Sequence, residues 1–144
     1  MANQTIRIEQ LGAVIGNMVE EYSVAVKERA DQAGEKAVKK LAAEGISVDL
    51  IDLRTIVPLD TDTIIKSVKK TGKLLIVDEG HVSFGISGEI ATRIMPEVFY
   101  DLEAPIERLG TADVPLPFSP ALEFPLIPDD KKIAAKIREM VGAG

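Results

Sequence analysis

The sequence predicts a single α/β domain, a mainly parallel sheet of about five strands with helices on both faces. Two stretches carry that prediction: ISVDLIDLRTIVPLD from Ile46 to Asp60 and LLIVDEGHVSFGISGEI from Leu74 to Ile90. Each begins as a short apolar strand, breaks into a polar loop and leads into a helix pattern, the alternation that builds parallel sheets. In the first strand the apolar residues occupy both parities, as a strand covered on both faces requires. Ligands and partners of such sheets gather where strands hand over to loops, which directs attention to Arg54, Glu79, Gly80 and His81.

In chain order, residues 1–10 include TIRIEQ, where Ile6 and Ile8 alternate as in an edge strand or a leader. The domain proper is expected over residues 11–144. Leu11, Ala13, Val14 and Ile15 predict a strand ending at Gly16. From Met18 to Leu41 apolar residues recur at helical spacing, predicting a long helix to about Glu44 that Gly45 stops just past its C terminus. Gly34 lies inside it at a cost of about 1 kcal/mol relative to alanine, so a break or kink is expected there.

Val48, Leu50, Ile51 and Leu53 form the next strand. Leu59, Ile64, Ile65 and Val68 line a helix that Asp60 or Thr61 caps and Gly72 ends. Leu74 to Val77 is a further strand. Ile86, Ile90, Ala91, Ile94 and Met95 line a helix entered through Ser87, which Pro96 is expected to kink or to restart at Glu97. Pro105 to Leu109 reads as a short strand, the stretch 113–128 as an irregular proline-rich arm, and Asp129 to Val141 as a closing amphipathic helix.

Composition narrows the function. The 144 residues include 17 basic and 23 acidic side chains, a net charge of −6. That balance repels phosphate backbones and anionic lipid, which argues against nucleic acid and membrane surfaces as partners. With no cysteine and one histidine, disulfides, thiolate nucleophiles and cysteine- or multi-histidine-ligated metals are excluded. No apolar run approaches the ~20 residues of a membrane span, and the N terminus lacks the apolar core of a signal peptide, so a cytoplasmic setting is expected.

IDLRTIVPLD, the spacing to LLIVDEG, the loop FGISGEIATRI, the phrase LEAPIERLGTADVPLPFSPALE and the late IP before a final helix occur in this order. Together they resemble the C-terminal domain of the beta subunit of thiamine-diphosphate-dependent 2-oxo acid dehydrogenases of the pyruvate, branched-chain and acetoin type. The match runs from about Ala37 to Val141, and the related domain of transketolase is a more distant fit. The resemblance implies a transketolase C-terminal-like fold. It also implies a pyrimidine-binding domain ahead of this one, for which the sequence leaves no room. The interval from Gly16 to Gly45 is about ten residues longer than the family's, close to three helical turns, which would keep the helix's apolar face nearly in register.

The resemblance further implies that thiamine diphosphate and magnesium are held elsewhere in the parent complex, by the alpha subunit and the missing domain. The sequence has no GDG-type motif, so this chain is expected to bind no cofactor and to be inactive alone. Implied partners are a second copy, in a homodimer, or other subunits of the heteromeric decarboxylase, together with the subunit-binding domain of an acyltransferase component.

Candidate site residues each have two readings. His81, after Asp78 and Glu79, has the chemistry of an acid or base; a histidine pairing with an acid is the preferred reading. Gly80, Gly85 and Gly88, with His81, Ser83 and Ser87, form a glycine-rich loop opening a helix, a candidate anion site. Its spacing fits neither GxGxxG nor GxxxxGK[ST], and tight turns with close helix packing are preferred. Glu79 and Glu89 straddle this loop as a possible carboxylate pair, with fixing the loop the favoured role. Arg54 and Asp60 have a substrate contact as one reading, and an internal ion pair or loop clamp as the preferred one.

In the arm, which begins at Asp113, Pro115, Pro117, Pro120, Pro125 and Pro128 alternate with Phe118, Leu122, Phe124 and Leu126. Prolines are expected to hold it extended across a surface. Its apolar side chains must cover either this domain's own core or another subunit. The function expected is therefore a non-catalytic assembly and docking domain. The alternatives are a small-molecule binder using the Gly80–Gly88 loop, and a subunit of a split thiamine-diphosphate-dependent oxidoreductase.

Overall fold

A computed structural model describes residues 12–16 and 24–142, with side chains described from residue 32 onward. Strand β1 (Gly12–Gly16) lies between β2 (Asp49–Leu53) and β3 (Leu74–His81), and β4 (Glu107–Thr111) adds to the far side of β3. All pairings are parallel, with Val14 opposite both Ile51 and Ile76, and Val77 opposite Leu109. The fifth expected strand, TIRIEQ, lies outside the described residues.

Helices cover both faces. On one, α1 (Val24–Ala43) and α5 (Asp130–Gly142) bury Ala37, Val38, Leu41, Ile133 and Ile137 against Leu50, Leu75 and Val77. On the other, α2 (Thr61–Thr71) and α3 (Ile86–Val98) bury Ile64, Val68, Ile90 and Ile94 against Ile51, Leu53, Leu74 and Ile76. Alternate residues of β2 and β3 thus feed opposite layers, which is why both parities are apolar. Arg138 adds a two-pronged ion pair to Glu44, at 2.6 and 2.7 Å, between α5 and the end of α1.

The helix signals work as their chemistry dictates. The Asp60 carboxylate accepts from the Thr63 amide at 3.1 Å and the Thr63 hydroxyl at 2.8 Å, capping α2, and Gly72 closes it at φ 69°. Gly45 follows α1 at φ 80°. Asp129 caps α5 by accepting from the Lys132 amide at 2.8 Å.

Four local expectations are corrected. Helix α1 passes through Gly34 unbroken; this glycine is buried in the same turn as Ala33 and Ala37, where small residues bring helices close. Helix α3 runs through Pro96 with no fresh start at Glu97, and the Phe99 amide still reaches the Met95 carbonyl at 3.0 Å. Because Pro96 falls in the last turn, its missing N–H costs a single bond near the end of the ladder. Strand β4 begins two residues later than expected and extends to Thr111, which pairs with His81. The arm is not extended throughout: Pro120–Glu123 forms one turn of helix, α4, with proline at its first position, and Phe124–Leu126 continues as a 3-10 turn.

Candidate functional site

At the carboxyl end of β3 the chain must turn from the sheet into α3 within the four residues 82–85. Phe84 takes the left-handed conformation, φ 56°, with its ring fully exposed. At Gly85 a Cβ would stand 2.2 Å from the His81 carbonyl oxygen, so no side chain fits. Gly110 of β4 is equally constrained, its would-be Cβ 2.7 Å from the Gly80 carbonyl oxygen. Gly85 lets the loop fold back onto the end of β3, and Gly110 lets β4 approach the backbone at Gly80.

Side chains then tie that loop to β4 and the root of the arm. The Thr111 hydroxyl donates to the Glu79 carbonyl at 2.6 Å, and Arg108 Nη1 to the Val82 carbonyl at 3.2 Å. His81 Nδ1 lies 2.8 Å from the Ala112 carbonyl, so the ring's hydrogen-bond partner is a backbone oxygen and not the acid expected from sequence. Ser83 donates from its hydroxyl to Asp113 Oδ2 at 2.5 Å. That hydrogen bond, with a smaller contribution from the charge of His81, holds the Asp113 carboxyl below its ordinary range. Asp78 is the opposite case: burial pushes its carboxyl up, only partly offset by the Gly80 amide that donates to it at 2.9 Å.

The expected pairs come apart. Arg54 binds Asp52, Nε to Oδ2 at 2.5 Å, while Asp60 is engaged in capping α2. Residues two apart on an extended segment share a face, which puts Asp52 rather than Asp60 under the guanidinium. Glu89 is exposed and turns to Arg93 one helical turn along at 2.6 Å, away from a carboxylate pairing with Glu79. Ser87 is buried in the first turn of α3, and Gly88 lies under Arg108. Sequence reasoning missed the roles of Arg108, Gly110 and Thr111; nothing in the sequence marks them, because they act only through a strand pairing. Asp78 had a signal, an acid ending a continuous apolar strand.

The arm leaves this rim at Asp113 and returns to the domain at Ile127 and Pro128, which are buried, with Lys132 Nζ donating to the Ile127 carbonyl at 2.8 Å. Between the two anchors Val114, Leu116, Phe118, Leu122 and Phe124 are exposed, Phe118 fully so. Pro115 and Pro117 stand between them and carry no N–H. In this chain by itself the arm does not bury its apolar side chains. A second apolar surface lies on α3, a shallow recess of Ala91, Thr92, Met95, Pro96 and Phe99 beside the exposed Tyr100.

Among the described residues no three acid or imidazole side chains are grouped to hold a metal ion, and no helix is long and apolar enough to cross a membrane.

The family model "Transketolase, C-terminal domain" matches residues 16–133. The pyruvate dehydrogenase E1 component subunit beta of Rickettsia felis is 43% identical over 119 residues, covering 83% of this chain and 35% of that protein. Its counterpart in Rhizobium meliloti is 44% identical over 103 residues, 72% of this chain and 22% of that one. The acetoin:2,6-dichlorophenolindophenol oxidoreductase subunit beta of Cupriavidus necator is 40% identical over 109 residues, 76% and 32% respectively. The chain therefore spans about a third or less of the length of these relatives. A solved structure described as a split gene transketolase, inactive beta4 tetramer, superposes with a TM-score of 0.63 over 94% of this chain and 40% of that one, at 18% identity.

Proposed function

The chain belongs to the transketolase C-terminal domain family, and from that premise we propose that it is the non-catalytic assembly and docking domain of a 2-oxo acid dehydrogenase beta subunit. The observation that carries the reading is the arm: fixed at Asp113 and at Ile127, it presents Val114, Leu116, Phe118, Leu122 and Phe124 to solvent. Such a contiguous apolar surface on a water-soluble fold is the signature of an interface waiting for its other half. The similarity to pyruvate and acetoin beta subunits supports placing that interface between copies of this subunit.

In this proposal thiamine diphosphate and magnesium belong to the parent complex, an oxidoreductase, and the chain contributes shape and contact. A cytoplasmic setting and docking of an acyltransferase component's subunit-binding domain complete the reading. The net charge of −6 would favour a basic partner and speed its encounter at low salt. Calorimetric titration of the chain with such a subunit-binding domain tests the docking half: heat that weakens as salt rises is expected, and no heat at low salt would overturn it.

A further inference from the structure

All four phenylalanines of this chain lie outside the core. Phe84 and Phe118 are fully exposed, and Phe99 and Phe124 are at least half exposed. Phenylalanine is among the residues most often buried, so a core without it beneath a surface that carries it calls for something that covers the rings.

Phe84 bears a second cost. Its backbone holds the left-handed conformation, φ 56°, which glycine adopts freely and a bulky side chain resists. Such strain persists where a function uses it. At 109% exposure the ring touches nothing in its own chain, so it serves no contact within the fold. The Ser83–Asp113 hydrogen bond fixes the loop on one side of it, and the tight seat of Gly85 against the His81 carbonyl fixes the other. The ring is thus presented from a firm base.

A receiving surface lies farther along α3. The recess of Ala91, Thr92, Met95, Pro96 and Phe99 has a volume of about 440 Å³. A cavity of about 150 Å³ holds a benzene ring. A phenylalanine side chain therefore fits the recess with room for a neighbour, against a methionine thioether that favours aromatic contact. At about 1.5 Å per residue, Met95 stands roughly 15–20 Å beyond Phe84 along the helix, out of reach of its own chain's ring. A second copy removes the difficulty. With two α3 helices antiparallel about a two-fold axis beside Ala91, each Phe84 comes over the other copy's recess, and the small residue at the axis permits close approach. Glu89 and Arg93, paired at 2.6 Å within one chain, stand symmetrically on either side of Ala91. Across the axis each Glu89 then meets an Arg93 of opposite charge. At about 200 Å² for a whole aromatic side chain, Phe84, Phe99, Tyr100 and Phe118 leave about 700 Å² uncovered, near the ~800 Å² that each partner gives to a stable interface.

We propose that two copies of this domain pair through antiparallel α3 helices, the Phe84 ring of each seated against Met95 and Phe99 of the other. The arm, rooted at Asp113 on the hydroxyl of Ser83, brings Leu116 and Phe118 to the edge of the same contact. This contact rests on the reading that copies of the subunit associate, and supplies the side chains through which they do. Two identical ring-in-recess contacts close the dimer and leave neither free to start a filament.

Sedimentation equilibrium of the full chain tests it, with Phe84→Gly, Met95→Glu, Glu89→Arg and Arg93→Glu as variants. Phe84→Gly should weaken the dimer about tenfold or more, as the loss of an interface anchor does. It should not lower the unfolding temperature of the monomer, because glycine relieves the left-handed strain. Met95→Glu should weaken the dimer as much. Glu89→Arg and Arg93→Glu should each dimerise poorly alone, and their equimolar mixture should recover a heterodimer, since the antiparallel register sets position 89 of one chain against position 93 of the other. A wild type that is monomeric throughout would overturn this contact together with the assembly reading. A wild-type dimer that Phe84→Gly and Met95→Glu leave intact, or a mixture of the charge variants with no gain, would overturn the contact alone and leave the arm as the interface.

Discussion

The Ser83 hydroxyl donates to the Asp113 carboxylate at 2.5 Å, joining the loop after β3 to the residue from which the apolar arm departs. Because the arm's other anchor lies beyond Leu126, this bond sets where Val114 to Phe118 are presented. Asp113→Ala should therefore leave the sheet intact and raise hydrogen exchange and proteolysis across residues 114–119 several-fold. The folded-state pKa of Asp113 is depressed, so the clamp's contribution is present above the ordinary carboxylate range and is lost only as pH falls through the lowered value. Exchange in the arm measured from neutral pH into acid should show that late release, while Asp113→Ala should be released throughout.

Gly85 and Gly45 make a matched pair. Gly45 has φ 80° with nothing within 4 Å of a would-be Cβ, so Gly45→Ala bears only the left-handed penalty, about 1 kcal/mol. Gly85 has an ordinary φ, but its Cβ would strike the His81 carbonyl at 2.2 Å, and the backbone must move. Gly85→Ala should cost about 2 kcal/mol or more in chemical denaturation, well beyond Gly45→Ala.

Asp60 accepts two hydrogen bonds at the start of α2 and no ion pair with Arg54. Asp60→Ala should destabilise by about 1 kcal/mol, and Asp60→Asn, which still caps, by much less. Arg54→Ala should have a small effect, since its pairing with Asp52 is partly exposed. A large loss from Arg54→Ala that Asp60→Ala shares would restore the pairing expected from sequence.

Asp78 titrates in the opposite sense to Asp113. Its folded pKa is raised by burial, so its favourable contribution is complete below the unfolded value of 3.8 and disappears as pH rises through the raised value. Asp78→Asn should therefore be more stable than the parent at neutral pH, with the difference closing in acid. Thermal unfolding of both proteins across that range checks the sign.

The layers of this fold were legible because β2 and β3 are largely apolar runs and the helices repeat their apolar residues on one face, as Val48–Leu53 and Ile64–Val68 do. Caps at Asp60 and Gly72 are local chemistry and were legible for the same reason. What the sequence concealed depends on contacts between distant segments. Arg54 chose Asp52 over Asp60 through strand geometry, and His81 met a carbonyl because β4 extends to Thr111. The short helix at Pro120–Glu123 was hidden among prolines that elsewhere keep the chain extended, although proline is well suited to a first helical position. The burial of Asp78 follows from the turn that places α3 over the end of β3, which no spacing announces.

Association of subunit copies through the arm is decided by sedimentation equilibrium of the purified chain beside a Leu116→Ser/Phe118→Ser variant. The wild type should be a dimer across the micromolar range, and the variant a monomer with an unchanged circular dichroism spectrum. A wild-type monomer at every concentration, or a variant that dimerises as tightly as its parent, would contradict it.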